Sequence, residues 1–446
     1  MGRLALFLLL LAAFIWASYI TVPPMPGDFN IARWGARGPG FVVAVGIDDE
    51  PHNITLFTEE GYDMWKKDKP GTAVYNGMLR KGDVLIIETP PGRYVLAVYP
   101  LPLFRGKTKT YASSYSGWAP VGVMSLPREP SAFGAAAGYF EVRRLKARNA
   151  GEVKDGASIQ LNAVVVLELA GGGRQYYFVQ SVLDLYTDTG RYRFVSAIFN
   201  DTLSGGFTGE VKGSGKIRWH VSAFSYYGHA TREERYSLPL AGFLLVNVSA
   251  AGPAARIDFG YNVGGGVVWY DSVAIRPYAP VEKAYILTGP AVTSSRPPNA
   301  LITPFSTPVG NIASLELVLC GLDADSPRAE LEDVDVRLAL LVWDGGRWRP
   351  APRIFNFGFN TAEAVSLNVE ARLINGTVRI TRGAFKPMLL AEEPPEPDIP
   401  PPSAVAKPQT DSWLLVAAAV VLMLLGIYKA GSALIDRLAG RRRGLA

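Results

Sequence analysis

Glu316 and Gln180 are the side chains whose settings first suggest chemistry. In Ser314, Glu316, Val318 and in Tyr176, Phe178, Gln180, Val182, each stands at every-second-residue spacing among largely apolar neighbours. That is the period of one face of a β-strand. Burial on such a face disfavours a charged carboxyl and raises its pKa, and it obliges an amide to find a hydrogen-bond partner. A carboxyl beside a side-chain amide can take a proton from water while the amide polarises a carbonyl or steadies a tetrahedral oxyanion. Two carboxyls sharing a proton reach the same end. The second carboxyl for that arrangement is Asp271, in Trp269-Tyr-Asp-Ser-Val273, with Glu363 behind it. Each residue also has a plainer reading: Glu316 and Gln180 as edge-strand side chains facing water, Asp271 as a strand-end aspartate capping a turn.

Other chemistries find little support. Asp188-Thr189-Gly190 matches the triplet of pepsin-type proteases, but Tyr186-Thr187 precedes it, Arg191 follows it and no second copy exists. Between strands ending at Tyr186 and beginning at Tyr192 it reads as a hairpin turn. A single cysteine, Cys320, rules out an internal disulfide and a zinc ribbon, and three scattered histidines make a histidine metal site improbable. Cys320 lies in an apolar run and reads as a small buried hydrophobe. Gly264-Gly-Gly266 opens no helix, so it is a turn and not a phosphate loop. The net charge of +5 is mild and owes much to Arg437 and Arg441 to Arg443, with no basic stripe for nucleic acid. No cofactor, metal or nucleic-acid partner is expected.

The elements that must position these residues are strands. Gly and Pro, 46 and 33 in 446 residues, punctuate short Val, Ile, Leu, Tyr and Phe runs, the pattern of an all-β chain. Runs at 158–169, 175–186, 192–198, 217–224, 242–248, 256–261, 267–275, 314–319, 336–343 and 378–380 succeed one another with no amphipathic helix between them. This predicts antiparallel sheets stacked as a β-sandwich over 115–388. Runs at 41–45, 54–57, 83–88 and 94–99 form a small N-terminal β module over 30–105, a prosegment or a spacer. A loose linker over 105–116 joins the two.

The ends read as membrane signals. Residues 1–20 carry the charge, apolar core and small-residue order of a signal peptide, or of an uncleaved anchor. A proline-rich extended stalk over 391–411 leads to one C-terminal transmembrane helix over 412–430, and a basic tail over 431–446 assigns that end to the cytoplasm. The body is then an ectodomain. Sequons at Asn53, Asn200, Asn247 and Asn375 fit a glycosylated outer surface.

Several phrases, taken in order, resemble the thermopsin family of archaeal acid peptidases. They are Trp118-Ala-Pro-Val-Gly-Val123, Ser158-Ile-Gln-Leu-Asn-Ala-Val-Val-Val166, Gln175-Tyr-Tyr-Phe-Val-Gln-Ser-Val182 and Ile198-Phe-Asn-Asp-Thr202. Further on come Ile257-Asp-Phe-Gly-Tyr-Asn262, Leu315-Glu-Leu-Val-Leu-Cys-Gly321, Leu341-Val-Trp-Asp-Gly-Gly346 and Phe355-Asn-Phe-Gly-Phe-Asn-Thr-Ala-Glu-Ala364. Together they span 115–382, and they depart from the family pattern at Ser181 and Cys320. The resemblance implies an exported or surface-bound endopeptidase acting at low pH on unfolded polypeptide without metal. A catalytically silent surface or envelope relative, and a sugar-binding sandwich with exposed Trp and Tyr, are the rival readings.

Overall fold

A computed structural model of the chain describes residues 20–22, 30–100, 109–149, 154–202, 206–207, 210–219, 225–293, 300–302, 312–322, 327–400 and 402. These fall in one compact unit ending at Ser403. Strands make up 67% of them, with one short helix, Glu59–Trp65, among the described residues. Its ladders are antiparallel apart from two short parallel pairings, Ala300–Ile302 with Lys109–Ser116 and Arg328–Asp344 with Ala364–Ser366.

Four sheets stack in layers, and side-chain alternation along the strands explains the order. The twelve-stranded sheet holds Gly156–Leu169, Arg174–Tyr186, Arg191–Asn200, Leu315–Cys320 and Val121–Ser125; the eleven-stranded sheet holds Ala135–Asn149, Leu240–Ala251, Ala254–Val263, Val268–Arg276 and Arg328–Asp344. Leu161, Val179, Leu183 and Leu317 from the first meet Phe140, Leu244, Phe259, Val273 and Leu338 from the second in the largest core. This is the expected antiparallel sandwich.

The other face of the twelve-stranded sheet is covered as well. A four-stranded sheet, ordered Ala300–Ile302, Lys109–Ser116, Gly40–Gly46, Val84–Thr89, lies against it. Phe41, Val43, Val45 and Tyr111 point toward Met124, Phe355, Phe357 and Phe359 and form a second core. Val42, Ala44 and Ala112 point the opposite way, against Ile54, Leu56, Leu96 and Val98 of a five-stranded sheet. On the far side of that sheet Tyr62 and Trp65 of the helix pack on Phe57, Val95 and Tyr99. Thr58 caps the helix, its hydroxyl accepting from the Gly61 amide.

Two expectations change. Within the linker of 105–116, Lys109–Ser116 is a strand paired with Gly40–Gly46. Its Thr, Ser and Tyr residues suggested exposure, but Thr110, Tyr111, Ala112 and Ser113 are buried because both faces of this strand are covered. The upstream strands therefore pair directly with the body. The first part of the proline-rich stalk also lies along the body. Leu389–Ala391 pairs with Ile354–Phe357, Glu392 takes ion pairs from Arg128 at 2.9 Å and Arg353 at 3.4 Å, and Ile399 packs beside Tyr139 and Trp348. Backbone bonds hold it too, the Arg353 amide donating to the Glu392 carbonyl at 2.8 Å and the Asp398 amide to the Asn375 carbonyl at 3.4 Å.

Among the described residues no helix is long and apolar enough to cross a membrane. The expected helix at 412–430, the tail at 431–446 and the leader at 1–20, save Ile20, lie outside them. Asp188-Thr189-Gly190 forms the hairpin turn, with Gly190 at φ 63° and its amide donating to the Tyr186 carbonyl.

Candidate functional site

Glu316 lies in the layer between the four-stranded and twelve-stranded sheets. Leu315–Cys320 is paired on one side with Val121–Ser125 and on the other with Gly156–Leu169, so Glu316 is interior to the sheet and not on an edge strand. Leu315, Leu317 and Leu319 enter the main core. Alternation then turns Ser314, Glu316, Val318 and Cys320 to the opposite face. There Glu316 has no exposed surface.

Its carboxylate is held from several sides. Oε1 accepts from the Ser314 hydroxyl at 2.5 Å, the Phe359 amide at 2.7 Å and the Asn360 amide at 3.1 Å; Oε2 accepts from the Asn360 amide at 3.2 Å. Asn360 Nδ2 donates to the Ile312 carbonyl at 2.9 Å and to Ser314 Oγ at 2.8 Å, tying the same residues together. A carbonyl can only accept, so the Ile312 contact fixes which Asn360 atom is nitrogen. Gly358 is required where it stands: a Cβ there would lie 2.7 Å from Glu316 Oε2. Burial raises the Glu316 pKa, outweighing the Ser314, Phe359, Asn360 and Asn162 donors that favour the charged form.

Gln180 shares this face but does not touch Glu316. The register places Gln180 opposite Asn162, Asn162 opposite Glu316 and Glu316 opposite Met124. Gln180 and Glu316 are thus two strand spacings apart, about 9.5 Å. The amide row bridges them: Gln180 Nε2 donates to Asn162 Oδ1 at 3.3 Å and Gln160 Oε1 at 3.2 Å, and Asn162 Nδ2 donates to Gln160 Oε1 at 3.4 Å. Gln160 Nε2 in turn reaches Ser158 Oγ at 3.1 Å.

Asp271 belongs to a different place. It points into the main core from Val268–Arg276, so the twelve-stranded sheet stands between it and Glu316. Ser196 Oγ donates to it at 2.6 Å, the Ser214 amide at 3.0 Å and the Tyr227 hydroxyl at 3.0 Å to each oxygen. Asp271 and Glu316 cannot share a proton in this arrangement. Asp271 lies inside a strand and not at its end, and through the Ser214 amide it ties down the turn between Glu210–Lys212 and Lys216–Trp219. Glu363 accepts from the hydroxyl of Thr361, and Cys320 is buried, its thiol pushed well up by desolvation.

The four-stranded sheet completes the surroundings. Tyr111 and Tyr115 project from Lys109–Ser116 toward the Glu316 face; the Tyr115 hydroxyl donates to the Gly358 carbonyl at 2.7 Å, and the Tyr111 ring meets Phe359 edge-on at 5.2 Å. Burial raises the Tyr111 phenol well above its ordinary value, with lesser contributions from Tyr115 and Glu316.

The sequons divide. Asn375 occupies the exposed tip of the turn between Val369–Ile374 and Thr377–Arg382, while Asn53 and Asn247 are half-buried in strands. Asn200 is fully buried, with Oδ1 accepting from the Thr202 amide, so the folded chain leaves no room there for a glycan.

Sequence reasoning singled out Glu316 and Gln180 but passed over Asn162, Gln160, Ser314, Asn360 and Tyr111. Ser158, Gln160 and Asn162 carried the same alternation signal. Nothing local marked Asn360, whose amide donates to Glu316, or Tyr111, whose ring packs on Phe359; both come from segments distant in sequence.

A search of the curated proteins gives no match. The thermopsin family model matches residues 107–369, more than half of the chain, beginning just before Lys109–Ser116 and taking in Glu316, its donors and the amide row. The chain belongs to the thermopsin family of acid peptidases.

Proposed function

We propose that this chain is an endopeptidase that hydrolyses unfolded polypeptide in acid with Glu316 as general base. The observation that carries the reading is the fixed, dried carboxylate of Glu316, held by Ser314, Phe359 and Asn360 at the end of a continuous amide row. Burial moves such a group toward a pKa suited to accepting a proton in mild acid. Glu316 takes a proton from water as the water oxygen bonds to the scissile carbonyl carbon. The same proton then passes to the departing nitrogen as the carbon–nitrogen bond breaks, restoring the carboxylate. Asn162 stands beside the carboxylate, and Gln180 and Gln160 fix its orientation.

A substrate can reach Glu316 only where the covering sheet parts from the twelve-stranded one. Residues 40–46 and 84–89 of that cover precede the family match, whereas Lys109–Ser116 lies within it and is tied to the body through Tyr115 and Gly358. In this reading the upstream module is the removable part of the cover, acting as a prosegment. The leader, the apolar segment at 412–430 and the arginines after it support a body outside the cell, tethered by one helix.

The closed site also favours a second reading, a silent relative whose Glu316 only clamps the Phe359–Asn360 turn. Digestion of unfolded protein across pH 2 to 8, by the chain intact and after cleavage within 101–108, separates them. Activity confined to acid supports the peptidase. No activity at any pH, with the fold intact, leaves the silent relative.

A further inference from the structure

We infer that Tyr111 is a catalytic residue, the phenol that donates a hydrogen bond to the scissile carbonyl oxygen as negative charge develops on it. The inference rests on the reading of Glu316 as general base and supplies the donor which that reading lacks.

Around Glu316 the side-chain donors are already engaged: Ser314 on Glu316, Asn360 Nδ2 on Ile312 and Ser314, Gln180 on Asn162 and Gln160, Asn162 on Gln160 and Glu316, Ser113 on Tyr115, and Tyr115 on Gly358. The Tyr111 hydroxyl is buried in the same layer and has no hydrogen-bond partner among the described residues. A buried hydroxyl left without a partner costs stability, so a sequence selected for stability alone would place phenylalanine there. Phe41, Phe357 and Phe359 of the same cluster show that this site accepts phenylalanine.

A second orphan has the opposite polarity. Asn360 Oδ1 is buried and accepts from nothing among the described residues, although its Nδ2 is fully used. One vacant donor and one vacant acceptor in the layer that holds the buried carboxylate match a peptide group, whose C=O accepts and whose N–H donates. Tyr111 would take the carbonyl oxygen and Asn360 the amide hydrogen. The phenol keeps its proton throughout; the proton transfers remain with water, Glu316 and the leaving nitrogen.

The test compares the full chain, after cleavage within 101–108, with Tyr111→Phe, Tyr115→Phe and Glu316→Gln cut in the same way, on an unfolded polypeptide at the pH of greatest activity, with thermal midpoints measured in parallel. Tyr111→Phe is expected to lower kcat about 100-fold, the effect of losing one oxyanion donor, with KM little changed and the midpoint equal to or above that of the parent. Tyr115→Phe, which removes a phenol that has a partner, lowers the midpoint. Unchanged kcat in Tyr111→Phe beside an inactive Glu316→Gln overturns the role of Tyr111 and leaves Glu316 in place. Full activity in Glu316→Gln, or none in the parent at any pH, overturns both. A fall in the Tyr111→Phe midpoint matching its loss of activity also overturns the assignment, since it marks a structural role.

Discussion

Replacing Asp201 by asparagine should remove a large part of the pH dependence of stability. Asp201 follows Arg191–Asn200; its amide donates to the Tyr176 carbonyl at 2.9 Å, and Oδ2 accepts from the Thr293 hydroxyl at 2.9 Å. Burial pushes its pKa from 3.8 up to about 7, the Thr293 hydrogen bond opposing only part of that rise. Between those two values the folded chain keeps a proton that the unfolded chain has lost, so stability falls as pH rises. At about 1.36 kcal/mol per pKa unit, a rise of roughly three units is worth about 4 kcal/mol. That contribution is fully present below pH 3.8 and gone above about pH 7. Asparagine copies the shape of the neutral acid and does not titrate. Urea unfolding of parent and Asp201→Asn at pH 3.5 and pH 7.5 should therefore give a parent that loses about 4 kcal/mol more than the variant over that interval. Glu316 is shifted in the same direction, but it is present in both chains and cancels in the comparison. Parallel curves would refute the argument.

Two further outcomes follow from the closed site. Gly358→Ala places a methyl group 2.7 Å from Glu316 Oε2 and 3.0 Å from Val318 Cγ1; it should cost about 1–3 kcal/mol by urea unfolding and lower the cleavage rate, because the carboxylate must move. Cutting the chain within 101–108 should raise cleavage of unfolded polypeptide in step with release of residues 30–100, followed by size-exclusion chromatography; equal rates before and after release would show that the upstream strands do not gate Glu316.

The alternation that exposes a polar residue among apolar ones made Glu316 and Gln180 legible, because a strand face is a local property. The same locality explains what went unread. Whether Glu316 lay on an edge or in the interior depended on two neighbouring strands, Val121–Ser125 and Gly156–Leu169, remote from it in sequence. Asp271 looked equivalent to Glu316 by pattern, and only the stacking of the sheets assigned it to the opposite side of the twelve-stranded sheet. Lys109–Ser116 read as a linker because a strand buried on both faces needs no alternation of polarity, and its polar side chains find partners inside the fold, Thr110 Oγ1 lying 2.6 Å from His52 Nε2. The Asp188 turn, by contrast, was set by chain-local chemistry and formed as expected.

The central claim is that the Glu316 carboxylate is the base that activates water. Glu316→Gln keeps the side-chain volume and leaves an oxygen to accept from Ser314, Phe359 and Asn360, yet it cannot take a proton in acid. The decisive measurement is kcat/KM for an unfolded polypeptide at the acid optimum, with near-ultraviolet circular dichroism confirming the native fold. The account predicts a loss of about 10²–10⁴-fold; a folded variant that cleaves at the parental rate would contradict it.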